Sequence, residues 1–384
     1  MNILTITATY HPSSNGVAIS TKRMVDALRS EGHTVRVIGP GYLSRDDASY
    51  IPFPSIRSVY GVSPDYPIAL PFLGWGAMRE ITSVHWDIIH VHHPFVYSRF
   101  ALSLGKRLGC PVVATFHSQY DTFFSTYIPF FGFLKRISVY DRLFLDPFSQ
   151  MNGVIAPAKW LQDDLRVQFP DQHVSFVSTA ALDDLFLQAR PWSHRPKNRS
   201  SGPVFLTVSR LQLEKNLEFL IRSFSEYRHR YAAGTYVIVG DGTHRTLVES
   251  WIKQYDVDEY VRLVGRVPND ELPSIYGEAD AFLYASRSDT TALNVLEAMA
   301  SGVPVISVDS RTGMEIVSDH INGRISKEEP MTFADAMNDT IRQQQRYGRQ
   351  AQKEAMRYEI RSVAHTLIDV YQDACDRFVQ KRAA

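Results

Sequence analysis

Short apolar segments alternate with amphipathic segments along the whole chain of 384 residues. Most of the apolar segments are continuous rather than alternating, which is typical of strands buried on both faces of a parallel sheet. Helical patterns between them, for example at 19–31, 216–230 and 244–255, supply the crossovers that parallel strands require. The pattern predicts an α/β protein. Strands are predicted at residues 2–8, 34–39, 87–92, 111–117, 153–156, 174–179, 204–209, 235–240, 260–265, 281–285 and 304–309.

One polar segment, residues 188–203, interrupts this alternation. It is basic, rich in Pro, Gly and Ser, and has no apolar periodicity, which indicates a linker or a long surface loop. It separates residues 1–187 from residues 204–359, and each half is predicted to form a doubly wound, Rossmann-like sheet. Such sheets bind ligands at the carboxyl ends of their strands, so we expect a ligand cleft between the two halves.

Composition and charge narrow the functional classes. The chain has 41 basic and 41 acidic residues, and a formal net charge of zero argues against a general nucleic-acid binder. Its two cysteines, Cys110 and Cys375, provide no disulfide framework, which favours a reducing cytosol. The first residues lack a signal-peptide pattern, and no apolar segment has the length of a membrane-spanning helix. We therefore expect a cytoplasmic protein that is either free or touches the cytosolic membrane face from the side.

Residues 289–297 read Asp-Thr-Thr-Ala-Leu-Asn-Val-Leu-Glu and form the most informative segment of the chain. A helix is predicted to begin near Thr291, so that Asp289 lies at its amino end and Glu297 about two turns further on roughly the same side. Free backbone N–H groups and the positive end of the helix dipole suit an anion such as a diphosphate. The same residues also fit an ordinary capped helix, with Asp289 or Thr290 as N-cap and Glu297 as a surface charge.

Two further turns follow predicted strands and precede predicted helices. In the first, Asn15 and Gly16 permit a phosphate to approach the backbone, although the turn lacks the G-x-G-x-x-G pattern of a dinucleotide site. In the second, Arg210 and Lys215 suit a diphosphate and the charge that builds on a leaving group. Asn216 is predicted to cap the helix that follows. An ordinary turn is the alternative in both places.

Histidines fall at strand ends in the first half. His117 ends the strand predicted at 111–117, where it would donate a hydrogen bond to a sugar hydroxyl or handle a proton, with a structural histidine as the alternative. Because the other histidines lack the helical i, i+4 spacing of metal ligands and have no carboxylate or cysteine close by, we predict no metal site. These other histidines are His11, His90, His92 and His93.

Residues 119–148 combine many aromatic side chains with the basic residues Lys135, Arg136 and Arg142. Aromatic and basic side chains in one segment suit insertion at the interface of an anionic membrane. A buried core segment or a domain-interface helix is the alternative. Because the segment directly follows His117, it would form one wall of the expected cleft.

Taken together, these motifs resemble the GT-B glycosyltransferases, and within them the large retaining family 4 that includes phosphatidylinositol mannosyltransferases, sucrose synthase and bacterial diacylglycerol glucosyltransferases. That family has Glu at both acidic positions of 289–297, followed by Ala-Met-Ala-x-Gly-x-Pro-Val. Asp289 and Glu297 occupy the acidic positions, and residues 298–305 match the rest. Arg210 and Lys215 match the family's phosphate pair, and the motifs at 240–242, 264–267 and 279–281 follow in the family's order.

The resemblance implies two Rossmann-like, doubly wound parallel-sheet domains that face each other across a cleft. The N-terminal domain, 1–187, would be the acceptor domain, and a C-terminal helix at about 360–384 would return to it. The C-terminal domain, 204–359, would bind a nucleotide-sugar donor. Members of this family use the nucleotide sugar as a co-substrate and need no further cofactor and no essential metal.

The resemblance also implies roles for single residues of the second domain. Arg210 and Lys215 would hold the donor diphosphate, and Glu297 would hold the nucleotide ribose. The nucleotide base would meet the backbone of Val267. The donor sugar and its phosphate would be held by Asp289 and by the backbone of Thr291, Ala292, Leu293 and Asn294.

In the first domain, the resemblance implies that the Gly16 N–H approaches the phosphate and that His117 contacts the transferred sugar. Residues 115–121 are similar to the Thr-x-His-Thr-x-Tyr-Glu segment of members with lipid acceptors. This similarity puts Tyr120 and Asp121 on the acceptor side, and we expect His11, in the turn after the first predicted strand, on the same side. His117, Asp289, Arg210 and Lys215 would form the catalytic set.

Some positions depart from the family pattern. Asp289 is one methylene shorter than the usual Glu, and Thr291-Ala292 replaces the common Phe-Gly, which alters the surroundings of the donor sugar. Residues 178–183 replace the usual Pro-Asn-Gly-Val-Asp.

We therefore predict a retaining hexosyltransferase that moves a hexose from a UDP- or GDP-sugar to a hydroxyl acceptor, with a membrane lipid such as diacylglycerol or a glycolipid as the favoured acceptor. Peripheral contact with an anionic membrane would run through residues 119–148. Two alternatives stay open: a nucleotide-sugar epimerase on the same fold, and a weakly active partner subunit that binds a nucleotide sugar.

Overall fold

The chain folds into two compact units. In this computed structural model, residues 1–13, 15–41, 43, 47–56, 68–69, 75–94, 96–117, 145–188 and 202–383 are described. The first unit comprises Met1–Ala181 together with Ile360–Ala384, and the second comprises Leu182–Glu359. The predicted linker at 188–203 lies almost wholly outside the described residues, and the division between the units falls a few residues before it.

The main sheet of the first unit has seven parallel strands in the order β3-β2-β1-β6-β7-β8-β9, and β4 and β5 form a separate antiparallel pair. These strands are β1 (Asn2–Ile6), β2 (Thr34–Pro40), β3 (Tyr50–Phe53), β4 (Ser55–Ile56), β5 (Ile68–Ala69), β6 (Ile88–Val91), β7 (Val112–Thr115), β8 (Gly153–Ala156) and β9 (Val174–Phe176). The helices described before the division are α1 (Gly16–Ser30), α2 (Trp75–Thr82), α3 (Val96–Leu108), α4 (Asp146–Ser149) and α5 (Lys159–Gln168).

The sheet of the second unit has six parallel strands in the order β12-β11-β10-β13-β14-β15. They are β10 (Val204–Val208), β11 (Thr235–Val239), β12 (Val261–Gly265), β13 (Ala281–Tyr284), β14 (Val305–Val308) and β15 (Gly323–Ser326). The helices are α6 (Asp184–Leu187), α7 (Leu217–Tyr231), α8 (Arg245–Gln254), α9 (Leu272–Glu278), α10 (Leu293–Ala300), α11 (Arg311–Ile316), α12 (Pro330–Arg342) and α13 (Gln344–Ala355). Two 3-10 turns lie at Leu213–Lys215 and Met356–Tyr358.

The two sheets confirm the predicted α/β fold. Every predicted strand is present, but the sequence analysis missed the edge strands β3 and β15 and the short pair β4 and β5. Strand β3 contains Pro52, which interrupts an apolar pattern and is tolerated only where a strand has a free edge. Strand β15 reads Gly-Arg-Ile-Ser, which is too polar and too short to stand out from a loop.

A long final helix, α14 (Ile360–Ala383), belongs to the first unit, as predicted. It buries one face, including Val363, Leu367 and Tyr371, in a cluster with residues of β1, β2 and α1. The Tyr371 hydroxyl lies 2.7 Å from Nδ1 of His90 on β6. The carboxyl-terminal segment therefore completes the core of the N-terminal sheet.

Two glycines allow the loop after β11 to lie against the loop after β10. Gly240 has φ of +131°, and a Cβ built on it would lie 1.9 Å from the Ser209 carbonyl oxygen. A Cβ on Gly242 would lie 2.4 Å from the Leu211 carbonyl oxygen. No side chain fits at either contact, so these glycines fix the path of the loop that carries Arg210.

This close approach predicts that Gly240→Ala destabilises the second unit by at least about 2 kcal/mol, because both the backbone angle and the Ser209 carbonyl oppose a side chain. Gly277→Ala is the matched control, since Gly277 is an exposed residue of α9 whose Cβ would meet no described atom within 4 Å. That substitution is expected to be neutral or stabilising by about 0.5–1 kcal/mol. Urea unfolding of both variants provides the measurement, and equal stabilities would contradict the prediction.

Candidate functional site

The predicted site residues of the second unit follow neighbouring parallel strands. Arg210 and Lys215 come after β10, Val267 after β12 and Asp289 after β13. Strands β12, β11, β10 and β13 are adjacent and parallel, so their carboxyl ends lie at one edge of the sheet. This edge is where ligands bind in folds of this class.

At the centre of the edge, Lys215 and Asp289 form a mostly buried ion pair. Nζ of Lys215 lies 2.6 Å from Oδ1 of Asp289, and the two side chains are only 14% and 18% exposed. The Tyr284 hydroxyl donates a hydrogen bond of 3.1 Å to Oδ2 of Asp289. The Thr312 hydroxyl donates to the Asp289 backbone carbonyl at 2.5 Å. Asp289 is thus fixed through both carboxylate oxygens and through its backbone.

The charge of Asp289 depends on these partners. Burial alone would raise the pKa of its carboxyl group, but the nearby Lys215 ammonium and hydrogen bonds from neighbouring side chains lower that pKa below its ordinary value. The pKa of Tyr284 is raised well above its ordinary value, first by burial and then by the Asp289 charge. At neutral pH Asp289 is therefore ionised, and Tyr284 keeps the proton that it donates.

Further contacts join the loop after β10 to the loop after β13. The Arg287 N–H donates to the Glu214 carbonyl at 3.0 Å. Asn216 Nδ2 donates to Oε1 of Glu328 at 3.0 Å, and Arg287 forms an ion pair with the same carboxylate. The hydrogen bond from Arg287, with that from Asn216, lowers the pKa of Glu328. Glu328, which follows β15, therefore connects the loop after β10 with the loop after β13.

The prediction that Asn216 caps a helix is right about its position but not about the hydrogen bond of its side chain. Asn216 occupies the N-cap position of α7, but its side chain makes no capping hydrogen bond within the described residues. Its backbone is left-handed, with φ of +55°, and its side chain bonds Glu328 instead. Asn tolerates this conformation better than most residues, so it turns the chain sharply after Lys215.

Helix α10 begins at Leu293 rather than near Thr291, and the interpretation of an ordinary capped helix is wrong. Its N-cap residue is Ala292, which makes no side-chain capping hydrogen bond, and the Val295 N–H in the first turn donates to Oδ1 of Asn294 at 3.0 Å. The side-chain Nδ2 of Asn294 donates to the Val208 carbonyl at 2.8 Å, and this bond holds the helix against the end of β10. The first intrahelical bonds come from the N–H groups of Val295 and Leu296 to the Ala292 carbonyl. Backbone N–H groups before them form the amino end of the helix, where an anion can bind.

Glu297 is not the surface charge of that interpretation. It is only 4% exposed, and Oε2 accepts a hydrogen bond of 3.1 Å from the Tyr276 hydroxyl. Arg210 pairs with Glu214 at 3.5 Å, and its side chain is 39% exposed. The Gly240 N–H donates at 2.8 Å to the carbonyl of Gly265, the last residue of β12, two positions before Val267.

In the first unit, Asn15 and Gly16 form the start of α1. Asn15 is buried, and its side chain accepts a hydrogen bond of 2.9 Å from the Ala18 N–H, so it is the N-cap. Gly16 is exposed, and a Cβ built on it would meet no described atom within 4 Å. Packing within the described residues of this unit thus does not require glycine there.

The histidines at the ends of β6 and β7 form one buried cluster. Nδ1 of His92 lies 2.8 Å from Nε2 of His117, and the ring centroids of His90 and His92 are 4.1 Å apart. Nδ1 of His93 accepts from the Ala8 N–H at 3.0 Å, which places the proton of that neutral ring on Nε2. Ser20, Thr21 and Ser178 border a small cavity beside His92 and His117.

These rings are uncharged at neutral pH. Burial lowers the pKa of His90, His93 and His117 to about 3, and it lowers that of His92 well below its ordinary value. With this pKa, His117 is a weak base that suits hydrogen bonding better than proton transfer near pH 7. Among the described residues, no group of three or more His, Cys, Asp or Glu side chains is arranged to hold a metal ion.

Part of the predicted acceptor side lies outside the described residues. Tyr120, Asp121 and the segment 118–144 belong to that part of the chain, whereas His11 is exposed in the turn after β1. At the end of the aromatic segment, Phe148 is buried in the core of the first unit and contacts the rings of Phe116 and Phe169. In the described part of the chain, none of the helices combines the length and apolar character needed to cross a bilayer.

Two models of known protein families match the chain. The family model "Glycosyl transferases group 1" matches residues 190–358, and the model "Glycosyltransferase Family 4" matches residues 14–180. The chain belongs to the group 1 glycosyltransferases.

Two curated relatives of this glycosyltransferase cover most of its length. One is the alpha-monoglucosyldiacylglycerol synthase of Streptococcus pneumoniae, which is 25% identical over 85% of this chain and 75% of its own. The other is the GDP-mannose-dependent alpha-mannosyltransferase of Mycolicibacterium smegmatis, which is 26% identical over 98% of both chains.

Solved structures agree on the fold. A glycosyltransferase from Rickettsia africae superposes with a TM-score of 0.72 at 16% identity, over 97% of this chain and 98% of its own. The Anabaena HepE protein in complex with UDP superposes with a TM-score of 0.70 at 16% identity, over 96% and 99% of the two chains. Together with the two parallel sheets, these similarities establish the GT-B fold that the sequence predicted.

Sequence reasoning missed the residues that hold the site of the glycosyltransferase together. Tyr276, Tyr284 and Thr312 contact predicted site residues, and Glu328 contacts Asn216, which follows Lys215 in the chain. Each of the four comes from a different part of the chain, and none belongs to the quoted motifs. Tyr284 gave one weak signal, because it is a phenol at the end of an otherwise apolar strand. The pairings themselves depend on tertiary contacts.

The buried histidines predict an acid-sensitive first unit. In the folded state the pKa of His90, His93 and His117 lies near 3, whereas the ordinary value is 6.5, so between these values the unfolded chain binds more protons. Stability is therefore complete above about pH 6.5 and falls as the pH decreases, by up to about 1.4 kcal/mol per pH unit for each such histidine.

Urea unfolding between pH 5 and pH 7.5 tests this expectation. The slope of the unfolding free energy against pH gives the number of protons taken up on unfolding, and His90→Gln should lower that number by about one. His229→Gln, which changes an exposed histidine of α7, is the control and should keep the wild-type dependence. An unchanged dependence in His90→Gln would contradict the assignment of a neutral buried ring.

Proposed function

We propose that this glycosyltransferase moves a hexose from a UDP- or GDP-sugar to a membrane lipid, such as diacylglycerol or a glycolipid, with retention at the anomeric carbon. The observation that carries the proposal is the Lys215–Asp289 ion pair, whose carboxylate lies shortly before the amino end of α10 in the chain. Arg210 follows the same strand as Lys215, so one sheet edge offers two cations and a helix amino end to a diphosphate.

The charges of this edge suit the chemistry of sugar transfer. The bond between the anomeric carbon and the diphosphate oxygen breaks, and negative charge builds on the diphosphate. Lys215, Arg210 and the α10 amino end would stabilise that charge, which leaves no step that needs a metal ion. The acceptor hydroxyl then attacks the oxocarbenium-like carbon from the face that the diphosphate leaves, and its proton passes to an oxygen of the departing diphosphate. Asp289 is ionised and held close by, where it would contact the sugar.

The proposed roles of the other residues follow the resemblance. Glu297 would accept hydrogen bonds from the nucleotide ribose, and its burial in an anchored helix supports a fixed rather than a mobile carboxylate. Val267 would meet the base through its backbone. Gly16 with the phosphate and His117 with the sugar stay predictions for the first unit.

The choice of donor and acceptor is supported by the names of similar proteins. One relative is named for monoglucosyldiacylglycerol synthesis, another for dependence on GDP-mannose, and HepE was solved with UDP. A lipid acceptor also agrees with the aromatic and basic composition of residues 119–148. We therefore propose peripheral action at a membrane surface.

The donor proposal predicts that UDP- or GDP-sugars raise the unfolding temperature and that the enzyme releases the nucleoside diphosphate when an acceptor is added. Arg210→Ala and Glu297→Gln should each lower the release rate by about 10²-fold, because they remove charge from the donor contacts. Arg166→Ala, an exposed position on α5 paired only loosely with Asp163, is the control. Full activity in both site variants would overturn the site assignment, and acceptor-free epimerisation would favour the alternative enzyme.

The acceptor proposal predicts radiolabel transfer from the donor sugar into vesicles that contain diacylglycerol and anionic phospholipid. Product NMR should show the anomeric configuration of the donor. Replacing Phe130, Phe131 and Lys135 together by Ser, Ser and Gln should lower vesicle co-sedimentation at least about ten-fold, since the segment would lose apolar area and a charge. Transfer to soluble acceptors with no transfer to lipid would refute the lipid acceptor and leave the donor proposal intact.

A further inference from the structure

Both acids of the 289–297 motif accept a hydrogen bond from a buried tyrosine. The Tyr284 hydroxyl donates to Oδ2 of Asp289, and the Tyr276 hydroxyl donates to Oε2 of Glu297. Both hydroxyl–carboxylate distances are 3.1 Å. The tyrosines are 3% and 0% exposed, so neither is a surface side chain that meets the acid by chance.

The two tyrosines come from different elements that converge on the motif. Tyr284 is the last residue of β13, and Tyr276 lies in the short helix α9. The ring of Tyr276 packs edge-to-face against Phe186 at a centroid distance of 6.1 Å and lies tilted against Phe282 at 5.9 Å. Because these rings are fixed by the core of the second unit, their hydroxyl groups are fixed points to which the acids attach.

For Asp289 the arrangement determines the orientation of the carboxylate. Lys215 binds one oxygen and Tyr284 the other, so rotation about the last side-chain bond would break one of the two contacts. A phenol that donates to a carboxylate forms a charge-assisted hydrogen bond, which is stronger than a bond between neutral groups. The ion pair supplies the charge balance, and the tyrosine supplies the direction.

We propose that Tyr284 and Tyr276 are positioning residues of the donor site, which orient Asp289 and Glu297 toward the donor sugar and the nucleotide ribose. This inference rests on the proposed function. Neither tyrosine needs to touch the substrate. Removal of its hydroxyl takes away one of the contacts that set the direction of the carboxylate, so the effect appears in the donor contact that this acid makes.

The two tyrosines therefore predict different binding defects. Tyr276→Phe should weaken the binding of UDP or GDP and of UDP-glucose or GDP-mannose alike, because both kinds of ligand contain the ribose. Tyr284→Phe should leave the affinity for the nucleoside diphosphate within about two-fold. The same variant should bind the nucleotide sugar about ten-fold more weakly and have a lower kcat, as expected for the loss of one hydrogen bond to a charged group.

Titration of the full chain with these four ligands measures the split, and nucleoside diphosphate release gives KM and kcat. Tyr236→Phe is the matched control, since Tyr236 is also buried in the second unit and bonds the Thr207 hydroxyl at 2.9 Å. Loss of that hydroxyl costs a buried hydrogen bond of similar length but touches no acid of the motif. Equal effects in all three variants would reduce the tyrosines to a structural role and overturn the proposal.

Two further measurements keep the proposal testable if one variant is poorly folded. The hydrogen bond from Tyr284 helps to lower the pKa of Asp289, so in Tyr284→Phe the acid limb of kcat/KM should move to higher pH, and in Tyr236→Phe it should not. In the background of Asp289→Asn, Tyr284→Phe should cause little further loss of kcat/KM, because the first substitution has already weakened the contact that the second removes. An unmoved acid limb or full additivity would overturn the role of Tyr284.

The outcomes also separate this inference from the function on which it rests. If the wild-type chain binds a nucleotide sugar and all three variants bind it equally, the proposed function stands and the positioning role is refuted. If the wild-type chain binds none of the four ligands, the donor assignment itself fails, and the positioning role fails with it.

Discussion

The ion pair between Lys215 and Asp289 is the contact on which the second unit's site depends. It joins the loops after two neighbouring strands, β10 and β13, at the edge where the backbone of a parallel sheet ends. Buried charges are costly unless they are paired, so neither loop can move without leaving its partner uncompensated. Contacts of Arg287 with Glu214 and Glu328 surround the pair and hold the same two loops. The position of Lys215 is therefore set by packing and charge together before any ligand binds.

The first unit differs from the second in what it buries at the ends of its strands, since it buries neutral imidazole rings rather than charged groups. His90, His92, His93 and His117 are neutral, and they bond one another, hydroxyl groups or the backbone. The hydroxyl of Tyr371 reaches His90 from α14, so the last helix of the chain is tied to the ends of the central strands. A neutral ring held in this way keeps a defined donor and acceptor on its two nitrogens. That property suits recognition of a sugar hydroxyl better than exchange of protons.

The sequence predicted the fold well because continuous apolar runs and ordered motifs are local signals. It predicted Asp289, Lys215 and Glu297 as site residues from spacing and resemblance, and the structure joins the first two directly. It failed for Asn216, whose side chain bonds Glu328, a residue 112 positions away. It missed Tyr276 and Tyr284 for the same reason, since their value lies in partners 21 and 5 positions away that no periodicity relates. Local patterns predict elements, whereas side-chain pairing depends on how the elements pack.

The two cations of the edge differ in how firmly they are held, and this difference bears on how an anion is received. Lys215 is 14% exposed and bonds Asp289 at 2.6 Å, whereas Arg210 is 39% exposed and lies 3.5 Å from Glu214. Exposed ion pairs contribute only about 0–1 kcal/mol, so Arg210 can exchange Glu214 for a phosphate at little cost. Lys215 would lose a stronger contact if it moved. An arriving diphosphate would therefore meet a fixed ammonium, whose partner Asp289 stays oriented by Tyr284, and an arginine that turns toward it. A bidentate guanidinium gains most from such a turn, because it matches the geometry of phosphate oxygens.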